Sequence, residues 1–560
     1  MGFGLHGKPP GPGGFNVCEE SSMTWFSVPT TQGHNEAEFS DATSASAWLA
    51  RQPQANAPAM LDRLLSQLLA LNVYRQAPRE RFKTLEVLRK TLFSVSGECQ
   101  RRYENKALPL LPAEQAMFDS TRQLWRACRI AYLHCLRACL DGDSSLSTQH
   151  GKLVHRALTC LRMEQMHCYL AGAEVDGEFW RELHAVLPAA EQLGVERQLV
   201  GDPQLGETSE STPSGQYAMA LLLHLARPYS LTRAQFSAIV RWLARWREQA
   251  KILSAPDANP RACCIALDLT CAQPLHDNLR VAGSARWLAL SPLLRKIRQR
   301  LESLAAGESP ESLKLGSVLS SEACVALLNE LIKHLKFPPQ AAFESSRAAT
   351  TTVASGPENI FRLLGGKGLK DASLLAAAPG STLSQERLAL FGHSARAEED
   401  DQSYAGEPWQ FIRREPEELY LLRPAGVSAQ RLALKGLLAI RETDGSCTLA
   451  SLHSLYSRQD GSLCVVASPY PGTPVPLLVE IRGKTGNALV RHPGFLLPAK
   501  AEDGVSSVIL PLGLPAHALS MRFYEAREKS PLALRLLDLL ERGGDIEHWS
   551  LSSDQRFGEK

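Results

Sequence analysis

The stretch Trp409–Pro424, WQFIRREPEELYLLRP, decides the reading of this chain. Trp409, Phe411 and Ile412 fit an incoming strand, and Leu419, Tyr420, Leu421 and Leu422 fit the next one. Arg413 to Glu418 is the polar, tight connection between them. At this point a long helical protein turns into a β protein.

Toward the C-terminus, short β candidates follow at close spacing: Gly436–Arg441, Cys447–Tyr456, Leu463–Ser468, Pro476–Ile481, Ala488–Val490, Gly494–Leu497, Ser506–Leu510 and Ser520–Tyr524. Asp444-Gly445, Asp460-Gly461 and Pro471-Gly472 punctuate them as turns. Short strands at this spacing predict a small antiparallel barrel. Ala533–Glu541 fits a strand or a helix equally well.

Toward the N-terminus, an acidic hinge at Glu398–Asp401 follows a helix expected from Ser384 to about Ala397. Ahead of it come a short helix (Glu358–Leu364) and a strand (Thr350–Ala354). Phe337-Pro338-Pro339 marks a boundary. From Ser44 to Lys336 the pattern is helical. Leu61, Leu64, Leu65, Leu68, Leu69 and Leu71 form one amphipathic stripe, and Phe82, Leu85, Leu88, Leu92 and Val95 form the next, behind Pro78. Pro112 opens a long helix, and a short buried strand at Ala262–Leu269 interrupts the series. No fixed repeat period is present. The fold class is therefore multidomain: a mostly α-helical N-terminal region followed by a C-terminal antiparallel β-barrel. The expected division is 1–43 as a disordered extension, 44–336 as a helical bundle or stack, and 337–406 as a linker with short helices and a first strand. The barrel takes 407–549 and the tail 550–560.

At 560 residues the chain is too long for one core. A net charge of +2 gives no global field for nucleic acid or anionic lipid. The 13 cysteines are odd in number and scattered. With no apolar signal segment, they point to a reducing cytoplasm. Met1–Ser22 is Gly/Pro-rich, and Met23 is the expected natural start. No run is long enough to span a membrane.

The remaining constellations read as packing. Cys128, Cys135 and Cys139 with Cys160, His167 and Cys168 lack metal-site spacing and fit helix faces. Cys263 and Cys264 alternate on a strand. Arg241–Lys251 interleaves arginines with Trp242 and Trp246, which fits an amphipathic helix with its tryptophans turned inward; base stacking is the competing reading. Leu294–Arg300 is a second basic run. Gly365-Gly366-Lys367-Gly368 lacks the GxxxxGK[ST] pattern and follows a helix. His453 and His492 have no nucleophile to serve, and neither HExxH nor GxSxG occurs. The chain reads as a non-enzyme with no metal and no cofactor.

The layout, together with SASAWLARQPQANAPAMLDRLLSQLLALN, TLEVLRKTLFSV, Ala116–Leu140, AGSARWLALSPLLRKIRQRLESLAAGESPESLKLG and LLDLLERGGDIEHW, resembles the atypical PilZ-domain cyclic-di-GMP receptors of bacteria. The resemblance covers about Ser44–Trp549. It implies a PilZ-like barrel and a site of two parts, Arg-x-x-x-Arg before the barrel and Asp-x-Ser-x-x-Gly at a strand end. Two guanidinium groups fork onto phosphates and stack on guanine, and the Asp accepts from guanine N–H groups. This sequence departs from both parts. Aligning Trp409 with the family's strand puts Arg413 where Asp is expected, Glu415 where Ser is expected and Glu418 where Gly is expected. QAAFESSRAATTT holds one arginine, Arg347, with no partner four residues away. Each lost charge-assisted contact is worth roughly 1.5–3 kcal/mol. Two or three such losses weaken binding by about two to six decades.

The ligand-binding candidates are Arg347, Arg413 and Arg414, as a rewired arginine cluster for cyclic di-GMP. The function expected is a cyclic-di-GMP-responsive adaptor or effector that meets a protein partner through the helical region, with no nucleic acid and no transmembrane segment. The alternative is a ligand-independent scaffold or chaperone-like protein with a vestigial barrel.

Overall fold

The computed structural model describes residues 26–53, 55–259, 261–274, 285–337, 349–366, 406–427, 430–442, 444–483, 489–499, 506–514, 518–525 and 531–552. Eight α-helices come first: α1 (Ala42–Ala50), α2 (Ala57–Val73), α3 (Pro78–Gln100), α4 (Pro112–Leu140), α5 (His150–Ala171), α6 (Gly177–Gln192), α7 (Pro213–Leu225) and α8 (Arg233–Trp246). Their starts are written in the sequence. Proline occupies the first turn of α2, α3, α4 and α7, where its missing N–H costs nothing. Asp41, Asn56, Asp176, Thr212 and Thr232 accept backbone N–H groups as N-caps, each worth about 1 kcal/mol.

α5 is the central helix and is buried along almost its whole length. Glu164 and Arg156 survive there because neighbours neutralise them. Glu164 receives Arg122 at 3.3 Å, Arg126 at 2.5 Å and Arg129, all from α4. Arg156 meets Glu86 at 3.1 Å and Asp202 at 3.0 Å. Arg126 and Arg129 thus face a buried carboxylate, as buried charges must. Upstream of α1, Phe26 and Phe39 are buried in the same core.

A two-stranded ribbon, β1 (Val200–Gly201) and β2 (Glu210–Ser211), lies beside α5. The strand expected at Ala262–Leu269 is β4 (Cys264–Asp268), in a small antiparallel sheet with β3 (Lys251–Leu253) and β5 (Ala285–Ala289). Helices α9 (Ser291–Ala305) and α10 (Ser321–Lys336) complete the helical region.

The β region holds two assemblies. β6 (Ala349–Ser355), β7 (Glu407–Arg414), β8 (Leu419–Arg423), β9 (Leu437–Arg441), β10 (Cys447–Ser457) and β11 (Leu463–Pro469) close into an antiparallel barrel in the order β10-β11-β8-β7-β6-β9. Helix α11 (Pro357–Leu363) follows β6. Trp409, Leu421, Ile440, Leu452 and Val465 fill the barrel interior. β12 (Val475–Gly483), β13 (Leu489–Leu497), β14 (Ser507–Pro511), β15 (Ala518–Glu525), β16 (Pro531–Leu532), β17 (Leu536–Arg542) and β18 (Ile546–Leu551) form a seven-stranded sheet ordered β16-β15-β12-β13-β14-β18-β17. Its two edges, β16 and β17, are separated in sequence only by residues 533–535. Six flat inter-strand gaps would span about 29 Å, yet the chain from Leu532 to Leu536 reaches at most about 14 Å. The sheet must therefore curl until its edges approach, around Leu477, Val479, Val508, Leu510 and Phe523. The fold class read from the sequence holds, and the β strands divide between this curled sheet and the closed barrel.

The helical region docks on the barrel through backbone as well as side chains. Leu108 and Leu432 exchange hydrogen bonds of 2.8 and 2.7 Å, and Glu174 N–H donates to Ser457 O at 2.8 Å. Arg431 is buried against Ala107 and Glu114. Tyr229 stacks on Tyr456 with centroids 4.4 Å apart.

Candidate functional site: the arginine hairpin

The hairpin of β7 and β8 carries Arg413 and Arg414. Trp409 points into the barrel, and a bulge between Phe411 and Arg413 then breaks the alternation. The extra residue sets Arg413 directly opposite Tyr420. The Arg413 guanidinium lies 4.4 Å from the centroid of the Tyr420 ring and pairs with Glu415 Oε1 at 2.9 Å. Arg414 pairs with Glu442, which also accepts from Thr448 Oγ1 at 3.1 Å. The turn is tied by Glu415 N–H to Glu418 O at 2.8 Å and by Glu418 N–H to Glu415 O at 3.4 Å. Pro416 supplies the fixed φ such a turn favours at its second position.

Glu418 is the centre of the hairpin's polar contacts. Tyr420 Oη donates to its Oε2. Burial, and then this carboxylate, push the Tyr420 phenol up to about 12. Arg227 reaches the other oxygen from the helical region, with Nη1 3.8 Å from Oε1. Arg227 sits between α7 and α8 with φ of 51°, a left-handed conformation uncommon for a residue with a side chain. His334 on α10 is pushed down to about 3 by burial and by Arg227, Lys333 and His453 around it. The base of the hairpin is clamped by Arg423 and Glu407, 2.9 Å apart and both buried. Glu407 Oε2 also accepts from Trp409 Nε1 at 3.0 Å.

Of the three arginines singled out in the sequence, the structure places Arg413 and Arg414 on one strand, each against a carboxylate. Arg347 lies outside the described residues, as do the helix expected at Ser384–Ala397 and the hinge at Glu398–Asp401. Sequence reading missed Arg227, whose contact with the hairpin crosses 191 positions (418 minus 227) with no local pattern to announce it. It also missed the buried Arg423–Glu407 pair, for which the only local sign is an acid just ahead of a strand.

The other constellations resolve into packing. Trp242 and Trp246 are buried with rings 6.2 Å apart, and Trp242 Nε1 donates to Leu315 O at 2.8 Å, so neither ring offers a face to a base. Cys128 and Cys160 meet with sulfurs 3.6 Å apart in the core, and their contact and burial raise the Cys128 thiol. His167 shares a 2.8 Å hydrogen bond with Tyr103 and is pushed down to about 3 by burial. Among the described residues, no group of three or more His, Cys, Asp or Glu is placed to hold a metal ion, and no helix is long and apolar enough to cross a membrane.

Two clefts open near the barrel. One of about 370 Å³ is lined by Leu363, Leu364, Arg441, Cys447, Thr473 and Pro474. The other, of about 270 Å³, joins Ser230, Thr232 and Gln235 to Lys435, His453 and Glu541. Arg413 and Arg414 line neither.

Comparison with known proteins then bears on the region that packs behind this hairpin. Residues 43–257 match the family described as cyclic-di-GMP receptor FimW, N-terminal domain. The match runs from α1 through β3, so it covers the α4–α5–α7 core and Arg227, and it ends before the barrel. A curated relative, the cyclic-di-GMP receptor FimW of Pseudomonas aeruginosa, is 26% identical over 285 residues, covering 49% of this chain and 46% of that protein. The chain thus spans about half the length of the FimW relative it matches. No solved structure matches. The resemblance to atypical cyclic-di-GMP receptors is upheld by the FimW match, and the closed barrel beyond it is compatible with the PilZ-like domain the resemblance implies.

Proposed function

We propose that this chain is a non-enzymatic regulatory protein that responds to cyclic di-GMP in the cytoplasm. The barrel is its sensor, and the helical region is the surface that meets a protein partner. The observation that carries this reading is the match of residues 43–257 to the N-terminal domain of a cyclic-di-GMP receptor.

The proposed ligand set is Arg413 and Arg414 with Arg347. In sequence, Arg347 is two residues ahead of Ala349, which pairs with Phe411 on the strand that carries the other two. The missing Asp, Ser and Gly of the family pattern argue for weaker binding than an intact motif gives. A second reading has its own support. Arg413 and Arg414 are already matched to Glu415 and Glu442, which favours a ligand-independent scaffold or chaperone-like protein with a vestigial barrel.

Isothermal titration of the full chain with cyclic di-GMP separates the two readings, with the Arg347→Ala, Arg413→Ala double variant beside it. Micromolar or tighter binding that the variant loses is expected for the receptor. Absence of heat at high ligand concentration selects the scaffold.

A further inference from the structure

Glu418 occupies a position with the chemistry of an anion site. Its carboxylate takes a hydrogen bond from the Tyr420 hydroxyl. Arg227 faces it from the helical region at 3.8 Å. Arg413 covers the ring of the same tyrosine at 4.4 Å. A guanidinium fully engaged with a carboxylate makes contacts near 2.7–2.9 Å, so Arg227 is under-used at this distance. The Nε atoms of Arg227 and Arg413 are both shielded from solvent, and neither has a hydrogen-bond partner among the described residues. Arg227 thus faces the Glu418 carboxylate, and Arg413, which pairs with Glu415 at 2.9 Å, covers the tyrosine that donates to it; each has a donor unspent. One comes from the helical region and one from the barrel. Arg227 is presented from a left-handed backbone position, the kind of conformation that persists where surrounding structure imposes it.

We infer that Glu418 is an internal stand-in for a phosphodiester, and that Arg227 and Arg413 are the phosphate clamp of the proposed cyclic-di-GMP site. This inference rests on the receptor reading and deepens it. A carboxylate and a phosphodiester each present two acceptor oxygens to a guanidinium, so one replaces the other without rebuilding the site. The helical region thereby supplies the second arginine that the segment before the barrel lacks. Ligand binding must displace Glu418 from Arg227, so occupancy exchanges a contact within the protein for one through the ligand. Wild-type affinity is lowered by that competition.

The test is titration of cyclic di-GMP into the full chain as wild type, as Glu418→Gln, and as Glu418→Gln with Arg227→Gly. Glutamine keeps the side-chain size and an acceptor for Tyr420, and glycine suits a φ of 51°. Thermal melts confirm that each variant folds. Glu418→Gln is expected to bind at least about tenfold tighter than wild type, the equivalent of about 1.4 kcal/mol. Adding Arg227→Gly is expected to erase that gain. A wild type that binds with an affinity neither substitution alters overturns the clamp and leaves the receptor reading standing. Absence of binding by wild type and Glu418→Gln alike overturns both.

Discussion

Arg431, on the barrel, donates to the main-chain carbonyl of Ala107 in the helical region, from Nε at 2.9 Å and from Nη2 at 2.5 Å. The same guanidinium reaches Glu114 Oε2 at 2.8 Å, at the start of α4. Its side chain is buried. Arg431→Met keeps most of the apolar stem but removes the guanidinium donors from the buried Ala107 carbonyl and leaves Glu114 with the Leu111 N–H alone. The expected loss is about 2–4 kcal/mol. Hydrogen exchange should show faster opening at 107–110 and 430–432, with the α5 core unchanged.

Glu164 is shared by Arg122, Arg126 and Arg129, while Asp176 also holds Arg122 and Arg126 and Glu182 holds Arg129. Glu164→Gln removes the buried carboxylate common to all three guanidinium groups and leaves Asp176 and Glu182 to hold them. Breaking a buried ion network from one side costs about 3–5 kcal/mol. Arg414→Ala removes a pair that is half exposed, and should cost less than about 1 kcal/mol. Urea midpoints for the two variants should therefore differ sharply in direction-matched experiments. Equal shifts would mean that the Glu164 network is solvated in solution.

The pH dependence follows from buried histidines and one partly buried acid. His155 is pushed down to about 2 by burial and then by Arg156 and Arg247, and His167 to about 3 by burial. Below the ordinary histidine value the unfolded chain binds the proton and the folded one does not. Their contribution is therefore present above about pH 6.5 and is lost as pH falls, by about 2 kcal/mol each at pH 5. Asp545 runs the other way. Burial raises it to about 6, so its protonated form favours the fold, and that contribution fades as pH rises from about 4 to 6. The expected net result is lower stability at pH 5 than at pH 7.5 in denaturant titrations. Asp545→Asn should be more stable than wild type at pH 7.5, by about 1–3 kcal/mol, and close to it at pH 4.

Gly494 sits in β13 where a Cβ would lie 2.7 Å from Val479 Cγ2 and 3.2 Å from Leu510 Cδ2. Gly494→Ala forces those side chains aside inside the curled sheet. Overpacking of this kind costs about 1–3 kcal/mol. A thermal melt checks it, and pairing with Val479→Ala should recover part of the loss.

Most strands were legible because local chemistry marks their ends. Gly445, Gly461 and Gly472 all take positive φ, at the turns that Asp-Gly and Pro-Gly announce. Ala488–Val490 and Gly494–Leu497, which read as two strands, are one, Leu489–Leu497. Pro493 is tolerated there because β14 pairs with β13 only from Phe495 onward. Ala533–Glu541 was ambiguous because its leucines suit a helix, and pairing with β18 makes it a strand, with Leu537, Leu539 and Leu540 exposed. What local pattern cannot carry is partner choice. β3 and β5 went unread beside β4, and nothing in the strands' spacing separates a closed barrel from a second, curled sheet. The arginines of the hairpin were visible for the same local reason, whereas Arg227 and Glu442, distant in sequence, were not.

The stave β6 precedes residues 367–405 in the chain, yet it is hydrogen-bonded between β7 and β9, which follow them. Severing the chain between Gly366 and Gly406 would therefore leave two polypeptides sharing one barrel, held as the halves of a reconstituted split protein are held. A fragment begun at Glu407 would have a gap between β7 and β9, two unsatisfied edges seeking a strand from a neighbour, and would recruit another molecule to fill it.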